Sequence, residues 1–118
     1  MTHASDRVTE VLPLKPADFH ILMVLLEEDL HGYGIMQAVA AESDGQVQLE
    51  VGSMYRLIAR LTDEGLLAKS KRRREAGDRR RYYRITPVGK QVAALEARRL
   101  VGVVRTARTH NLLRDAEQ

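Results

Sequence analysis

Arginine and tyrosine side chains crowd one part of this sequence, and the chemistry they offer is recognition of anions rather than bond making. From Lys69 to Arg84, nine basic residues (Lys69, Lys71, Arg72, Arg73, Arg74, Arg79, Arg80, Arg81 and Arg84) stand against Glu75 and Asp78. That stretch carries seven net positive charges in a 118-residue chain whose total is +3, so the remainder is net negative. A neutral-to-acidic body with one concentrated basic patch suits a polyanion held at a defined place. Just ahead of the patch, Met54, Leu57, Ile58 and Leu61 fall at i, i+3, i+4 and i+7, while Ser53, Tyr55, Arg56 and Arg60 lie off that stripe. A helix with a buried side and a reading side, beside a basic hairpin, points to double-stranded DNA.

Catalytic chemistry has little to work with. There is no cysteine, hence no thiolate nucleophile, no disulfide framework and no Cys-based zinc site. No glycine loop has P-loop or Rossmann spacing, and no histidine pair has metal-ligand spacing. His20 has no ligand partner nearby in sequence and reads as a surface or core-edge residue; His31 reads as a packing or capping residue. The expectation is a non-enzyme without cofactor or metal. The first residues lack a signal-peptide pattern and no run nears the roughly 18 apolar residues of a membrane span, so a cytoplasmic, nucleoid-associated protein is expected.

The elements that must position these side chains follow from the pattern. The length suits one domain with a modest core and an appendage. Residues 1–13 are polar, with weak periodicity in Val8, Val11 and Leu12, and are expected to form a mobile arm. Pro16 opens a first helix that ends at Glu27, buried on most sides through Phe19, Ile21, Leu22, Met23, Val24, Leu25 and Leu26. A second helix enters at His31-Gly32-Tyr33-Gly34 and runs to about Ser43, with Ile35, Ala38 and Val39 inward; Ser43-Asp44-Gly45 is a turn. Val47 and Leu49 alternate with polar residues between Gln46 and Glu50, which predicts a short strand. The helix from Val51 follows, with Gly65 placed to stop it in a left-handed conformation.

Leu66 to Arg73 and Arg80 to Ile85 read as a hairpin with Gly77-Asp78 near its tip, Tyr83 and Ile85 facing the core and Tyr82 and Arg84 facing outward. Thr86-Pro87 starts a last helix that reaches about Arg108, roughly 22 residues or 33 Å. Its apolar positions are too widely spread for a helix that covers only its own subunit, and Val92, Leu95, Leu100, Val103, Val104 and Ala107 are the candidates for a homodimer contact. The fold class is therefore mainly α with a small β hairpin: an α+β winged helix-turn-helix over residues 14–86, a dimerisation helix over 87–110 and a tail over 111–118.

The sequence resembles the PadR family of bacterial transcriptional regulators. The resemblance rests on His31-Gly32-Tyr33-Gly34 at the second helix, Gly52-Ser53-Met54-Tyr55-Arg56 at the recognition helix, Arg60-Leu61 with Gly65-Leu66 at its end, and Arg81-Tyr82-Tyr83-Arg84-Ile85-Thr86-Pro87-Val88-Gly89 after the wing. It spans about Leu14 to Arg108. It implies a homodimer joined through C-terminal helices and repression relieved by a small-molecule effector. Some short members hold flat aromatic compounds with a tryptophan on the last helix; this sequence has no tryptophan, and the effector-binding residues are unknown.

Within that frame Arg56 is the candidate base reader, since a guanidinium grips guanine O6 and N7. Ser53 and Tyr55 are candidates for phosphates. Arg60 is divided between DNA and an i, i+4 pair with Glu64. Lys71, Arg74, Arg79 and Arg80 are the wing's candidates. The rival expectation is a winged-helix module that binds protein or nucleic acid without operator specificity.

Overall fold

The computed structural model describes residues 10–71 and 76–114. Arg72, Arg73, Arg74 and most of the N-terminal arm therefore lie outside the described residues. The element order is α1 (Pro16–Glu27), β1 (Leu30–His31), α2 (Gly32–Glu42), α3 (Val51–Asp63), β2 (Leu67–Lys69), β3 (Tyr82–Ile85) and α4 (Pro87–Thr109). Among the described residues, four helices and a three-stranded antiparallel sheet of order β1-β3-β2 make the α+β winged-helix architecture.

α1 is the central helix. Ile21, Leu22, Val24 and Leu25 are buried in it, whereas Leu26 is exposed, contrary to the broad face expected. Ile35 and Val39 of α2 and Met54, Ile58 and Leu61 of α3 close on the same core. Burying each such side chain contributes about 1.5–3 kcal/mol. Val11 and Leu12 also pack on the core, so the end of the supposed arm belongs to the domain.

The predicted strand at 46–50 does not form. After α2 the chain turns through Asp44 and Gly45, both with positive φ, and the Val47 amide bonds to Ser43 Oγ at 3.0 Å. The third strand is instead Leu30–His31, paired Leu30↔Tyr83 and His31↔Tyr82. A two-residue strand has no period to read, because its existence depends on a neighbour supplied by the wing. On the other side Leu67 pairs with Ile85 and Lys69 with Tyr83.

α3 ends as its glycine demands. Gly65 has φ 81°, the Leu66 amide bonds to the Leu61 carbonyl at 2.9 Å, and the Gly65 amide bonds to the Thr62 carbonyl at 3.0 Å. This is the paired-bond helix stop that a left-handed residue permits. Thr86 then joins three elements. Its side chain accepts the Gly89 amide at 3.0 Å to cap α4 and donates to the Gly65 carbonyl at 2.6 Å. Gly89 packs so close to this joint that a β-carbon there would lie 2.3 Å from the Leu66 carbonyl oxygen.

The two halves of α4 differ. Val92, Ala93 and Glu96 are buried against the body of their own chain, with the Glu96 carboxylate paired to Arg99 and accepting a backbone bond from Leu14. That pairing with Arg99 holds the Glu96 carboxyl below the usual range. Val101, Val103 and Val104 are exposed on the distal half. Val92 is therefore corrected from a partner-facing to a core residue: it has no surface left to offer. Among the described residues, no helix is long and apolar enough to cross a membrane.

Candidate nucleic-acid interface

α3 is seated by more than its apolar stripe. Arg60 Nη2 lies 2.8 Å from both carboxylate oxygens of Asp18, which is 3% exposed in α1. Arg60 Nη1 reaches Glu64 at 3.2 Å. The bond to Asp18 raises the Arg60 pKa. Arg60 therefore seats α3 on α1, both ends of its guanidinium being engaged by carboxylates. The sequence could propose Glu64 from its spacing, but Asp18 lies 42 positions away and only packing brings it there.

Outward of that seat, Tyr55 is 49% exposed and Arg56 is exposed. Arg56 Nη2 donates to Ser53 Oγ at 3.2 Å, one turn back. This places the candidate base reader and a candidate phosphate contact side by side, joined by a weak bond that a DNA acceptor could replace. Tyr55 lies along the entry of α2, where the absence of a side chain at Gly32 makes room for its hydroxyl.

The wing meets this face through Arg79, Arg80 and Arg81. Arg80 does not extend freely: its Nε and Nη2 bond to Asp78 at 3.0 and 3.1 Å, and its backbone amide bonds to the same carboxylate at 2.9 Å. Tyr82 completes the cluster, its hydroxyl donating to Asp78 at 2.9 Å. Arg80 beside it holds the Asp78 carboxyl well below the usual carboxylate range.

Tyr82 was expected to face outward and is instead buried, with the His31 ring edge-on at 5.2 Å and the Arg80 guanidinium 5.8 Å from its centroid. The cause is β1, which pairs with the free edge of β3 and sets His31 opposite Tyr82, ring against ring. His31 caps α2 by accepting the Gly34 amide at Nδ1, 3.1 Å, as its position at the helix entry suggested. At the wing's root, Ser70 donates to Asp29 in the α1–β1 connection.

Lys71 and Arg79 are exposed, and Arg74 lies outside the described residues. Arg81 and Tyr33 were not singled out as site residues from sequence, yet Arg81 lines two grooves beside the wing and Tyr33 one of them. One groove of about 410 Å³ is bordered by Tyr33, Tyr55, Arg79, Arg80 and Arg81 together with His31. A second, of about 340 Å³, runs between Ile58, Thr62, Lys69 and Arg81. Among the described residues no carboxylate pairs with Arg79 or Arg81, and no cluster of three potential metal ligands occurs. The arrangement presents Arg56 outward on α3 and sets Arg79 and Arg81 on its flank. Tyr33 was signalled only by its place in the His31-Gly32-Tyr33-Gly34 run.

Comparison with known proteins agrees with this geometry. Residues 21–95 match the model of the transcriptional regulator PadR-like family. An uncharacterised protein of Lysinibacillus sphaericus is 32% identical over 73 residues, covering 62% of this chain and 67% of that one. A transcriptional regulator from Clostridium thermocellum superposes with a TM-score of 0.67 at 26% identity, covering 79% of this chain and 87% of the other. A PadR family transcription regulator from Clostridium difficile R20291 gives 0.69 at 22% identity, with 81% and 98% covered. Bacillus subtilis PadR in complex with operator DNA gives 0.58 at 24% identity, with 68% of this chain and 46% of that protein covered.

Proposed function

The chain belongs to the PadR-like family of transcriptional regulators, and from that premise we propose that it is a sequence-specific DNA-binding regulator that acts as a homodimer. The observation that carries this reading is a firmly seated α3 whose exposed Tyr55, next to exposed Arg56, borders one groove with Arg79 and Arg81 of the wing, which no carboxylate pairs among the described residues. In such an arrangement the helix enters the major groove and the wing lies on the flanking backbone. The solved operator complex of Bacillus subtilis PadR supports the same use of the fold.

The homodimer is proposed through the distal half of α4, where Val103 and Val104 are exposed and Leu100 and Ala107 half-buried, with exposed Val101 beside them; Leu95 is partly engaged by its own core. Twofold symmetry would set the two reading helices about 34 Å apart, which calls for an inverted-repeat operator. Repression relieved by an effector is part of the reading, with no enzymatic step, and places the protein in the cytoplasm with its DNA. The rival is a winged-helix module without operator specificity.

Fluorescence anisotropy on the duplex upstream of its own coding region, with excess random competitor at near-physiological salt, separates the two. Retained specific binding supports the regulator; only salt-labile, sequence-indifferent binding supports the rival. Sedimentation of Val103→Asp/Val104→Asp should give a monomer that is folded and has lost operator binding at concentrations where the parent binds. A dimer that survives both charges would place the interface elsewhere.

A further inference from the structure

Glu96 is a carboxylate in a place that packing alone would give to an apolar side chain. It is 2% exposed, and it is the last buried residue along α4. A buried carboxylate is costly unless it is paired and its oxygens are bonded, whereas an apolar side chain of similar volume fills the same space without that cost. Here both conditions are met. Arg99 Nε and Nη2 each lie 2.7 Å from a carboxylate oxygen, and the Leu14 amide donates to the same group. The DNA-binding reading leaves this group without a task.

Leu14 stands just ahead of α1 and is itself buried in the core. One turn further on, Asp18 takes Arg60 of α3 on both its oxygens at 2.8 Å. The start of α1 therefore holds α4 through an amide and α3 through a carboxylate. Hydrogen bonds of this kind are directional, as apolar contacts are not.

The direction of α4 depends on where along its length it is fixed. Thr86 and Gly89 fix its beginning against Leu66. One point of attachment leaves a rod free to tilt; Glu96, about 10 Å further along the axis, is a second. Val92 and Ala93 pack between the two through contacts that have no direction of their own. Beyond Glu96 the helix runs on to Thr109, about 20 Å, with Val101, Val103 and Val104 exposed. A tilt of about 10° over that length carries its end roughly 3 Å, close to the rise between neighbouring base pairs.

We propose that Glu96 is a positioning residue for operator recognition: through the Leu14 amide it locks the angle between α4 and the start of α1, and so sets the half-site spacing that the dimer accepts. This rests on the homodimer and operator reading above, and adds to it a residue too buried to meet either DNA or the partner. In this arrangement α3 reads the base pairs and Glu96 decides how far apart the two readings lie.

Hydrogen exchange on the wild-type protein is the first test. The Leu14 amide lies ahead of α1, outside its ladder of hydrogen bonds, and with Glu96 as acceptor it should exchange as slowly as the amides of Val92 and Ala93. Exchange as fast as that of an exposed loop overturns the tie, whatever the variants do. Duplexes selected by the wild-type protein from a random pool then define the half-sites, and their spacing is changed by one base pair in each direction. Wild type should lose about tenfold or more in affinity at either changed spacing. Glu96→Met, of similar volume but a weak acceptor, should lose less than about threefold. Glu96→Gln keeps an oxygen for the Leu14 amide and should lose as much as wild type. Discrimination against base substitutions within a half-site should be the same in all three proteins. Each figure is a ratio within one preparation, so a smaller folded fraction cancels.

A Glu96→Met variant that keeps the wild-type spacing preference, or a Glu96→Gln variant that loses it as fully, overturns the proposal and leaves the DNA reading intact. Uniform loss on every duplex marks Glu96 as structural only and overturns it too. A protein with a slowly exchanging Leu14 amide that selects no duplex, or only an isolated half-site, overturns the operator reading itself and the spacing role with it.

Discussion

α3 and the wing both carry arginines toward the same face, but they are held by different physics. α3 rests on Met54, Ile58 and Leu61 and on a carboxylate buried to 3% exposure, so its position is tied to the stability of the whole core. In the wing only Arg80, among the described arginines, sits on the polar cluster of Asp78 and Tyr82, which holds one side chain at the sheet's edge. Of the two elements' arginines, Arg60 and Arg80 are paired to carboxylates, whereas among the described residues no carboxylate pairs with Arg56, Arg79 or Arg81. The lesson is that position on a recognition helix does not make an arginine a reader; what matters is whether a carboxylate from another element already holds it.

The sharpest way to break this contrast is at the joint where α3 meets α4. Gly89→Ala would drive a methyl into the Leu66 carbonyl, and overpacking against backbone should lower stability by about 3 kcal/mol, read as a denaturant midpoint shift with an unchanged slope. Arg60→Ala comes next. It leaves Asp18 buried without its cation; the cost of breaking a buried pair is reduced because the guanidinium is partly solvated, so about 2 kcal/mol is expected. If Arg60→Ala instead kept its melting temperature and lost operator affinity, Arg60 would be a DNA contact after all.

On the reading side the effects move from stability to binding. Arg56→Ala should relax preference at one or two base pairs by about 1–3 kcal/mol, measured as the ratio of operator to mutated-operator affinity, with the melting temperature unchanged. Arg79→Ala should weaken operator and random duplex alike and reduce the magnitude of the salt slope by about 0.9. Equal behaviour of these two variants on both duplexes would erase the division between helix and wing.

The smallest effect concerns acid. The folded pKa of Asp78 is depressed, so its contribution is present above the unfolded value of about 3.9 and lost only as pH falls through the lower folded value. The Tyr82 ring resonances should therefore stay constant from pH 8 down through the ordinary carboxylate range and move only below it. Movement near pH 4 would mean that Arg80 does not hold Asp78 in solution.

Local signals in the chain were sufficient for much of this. Pro16, Ser43-Asp44-Gly45, Gly65 and Thr86-Pro87 mark helix ends through backbone preferences that act over a few residues, and each lies where the structure has an end. The face of α3 that carries Tyr55 and Arg56 was legible for the same reason: a 3.6-residue period sorts side chains without reference to anything distant. What sequence could not supply was pairing across distance. Asp18 with Arg60, β1 with β3, Asp29 with Ser70 and the partition of α4 into a covered and an uncovered half all depend on which surfaces the packed helices bring together. Helix periodicity says that a side is apolar, whereas only tertiary contact decides whether its own core already covers it; likewise composition shows nine basic residues in one stretch, and only the fold decides which of them a carboxylate has taken.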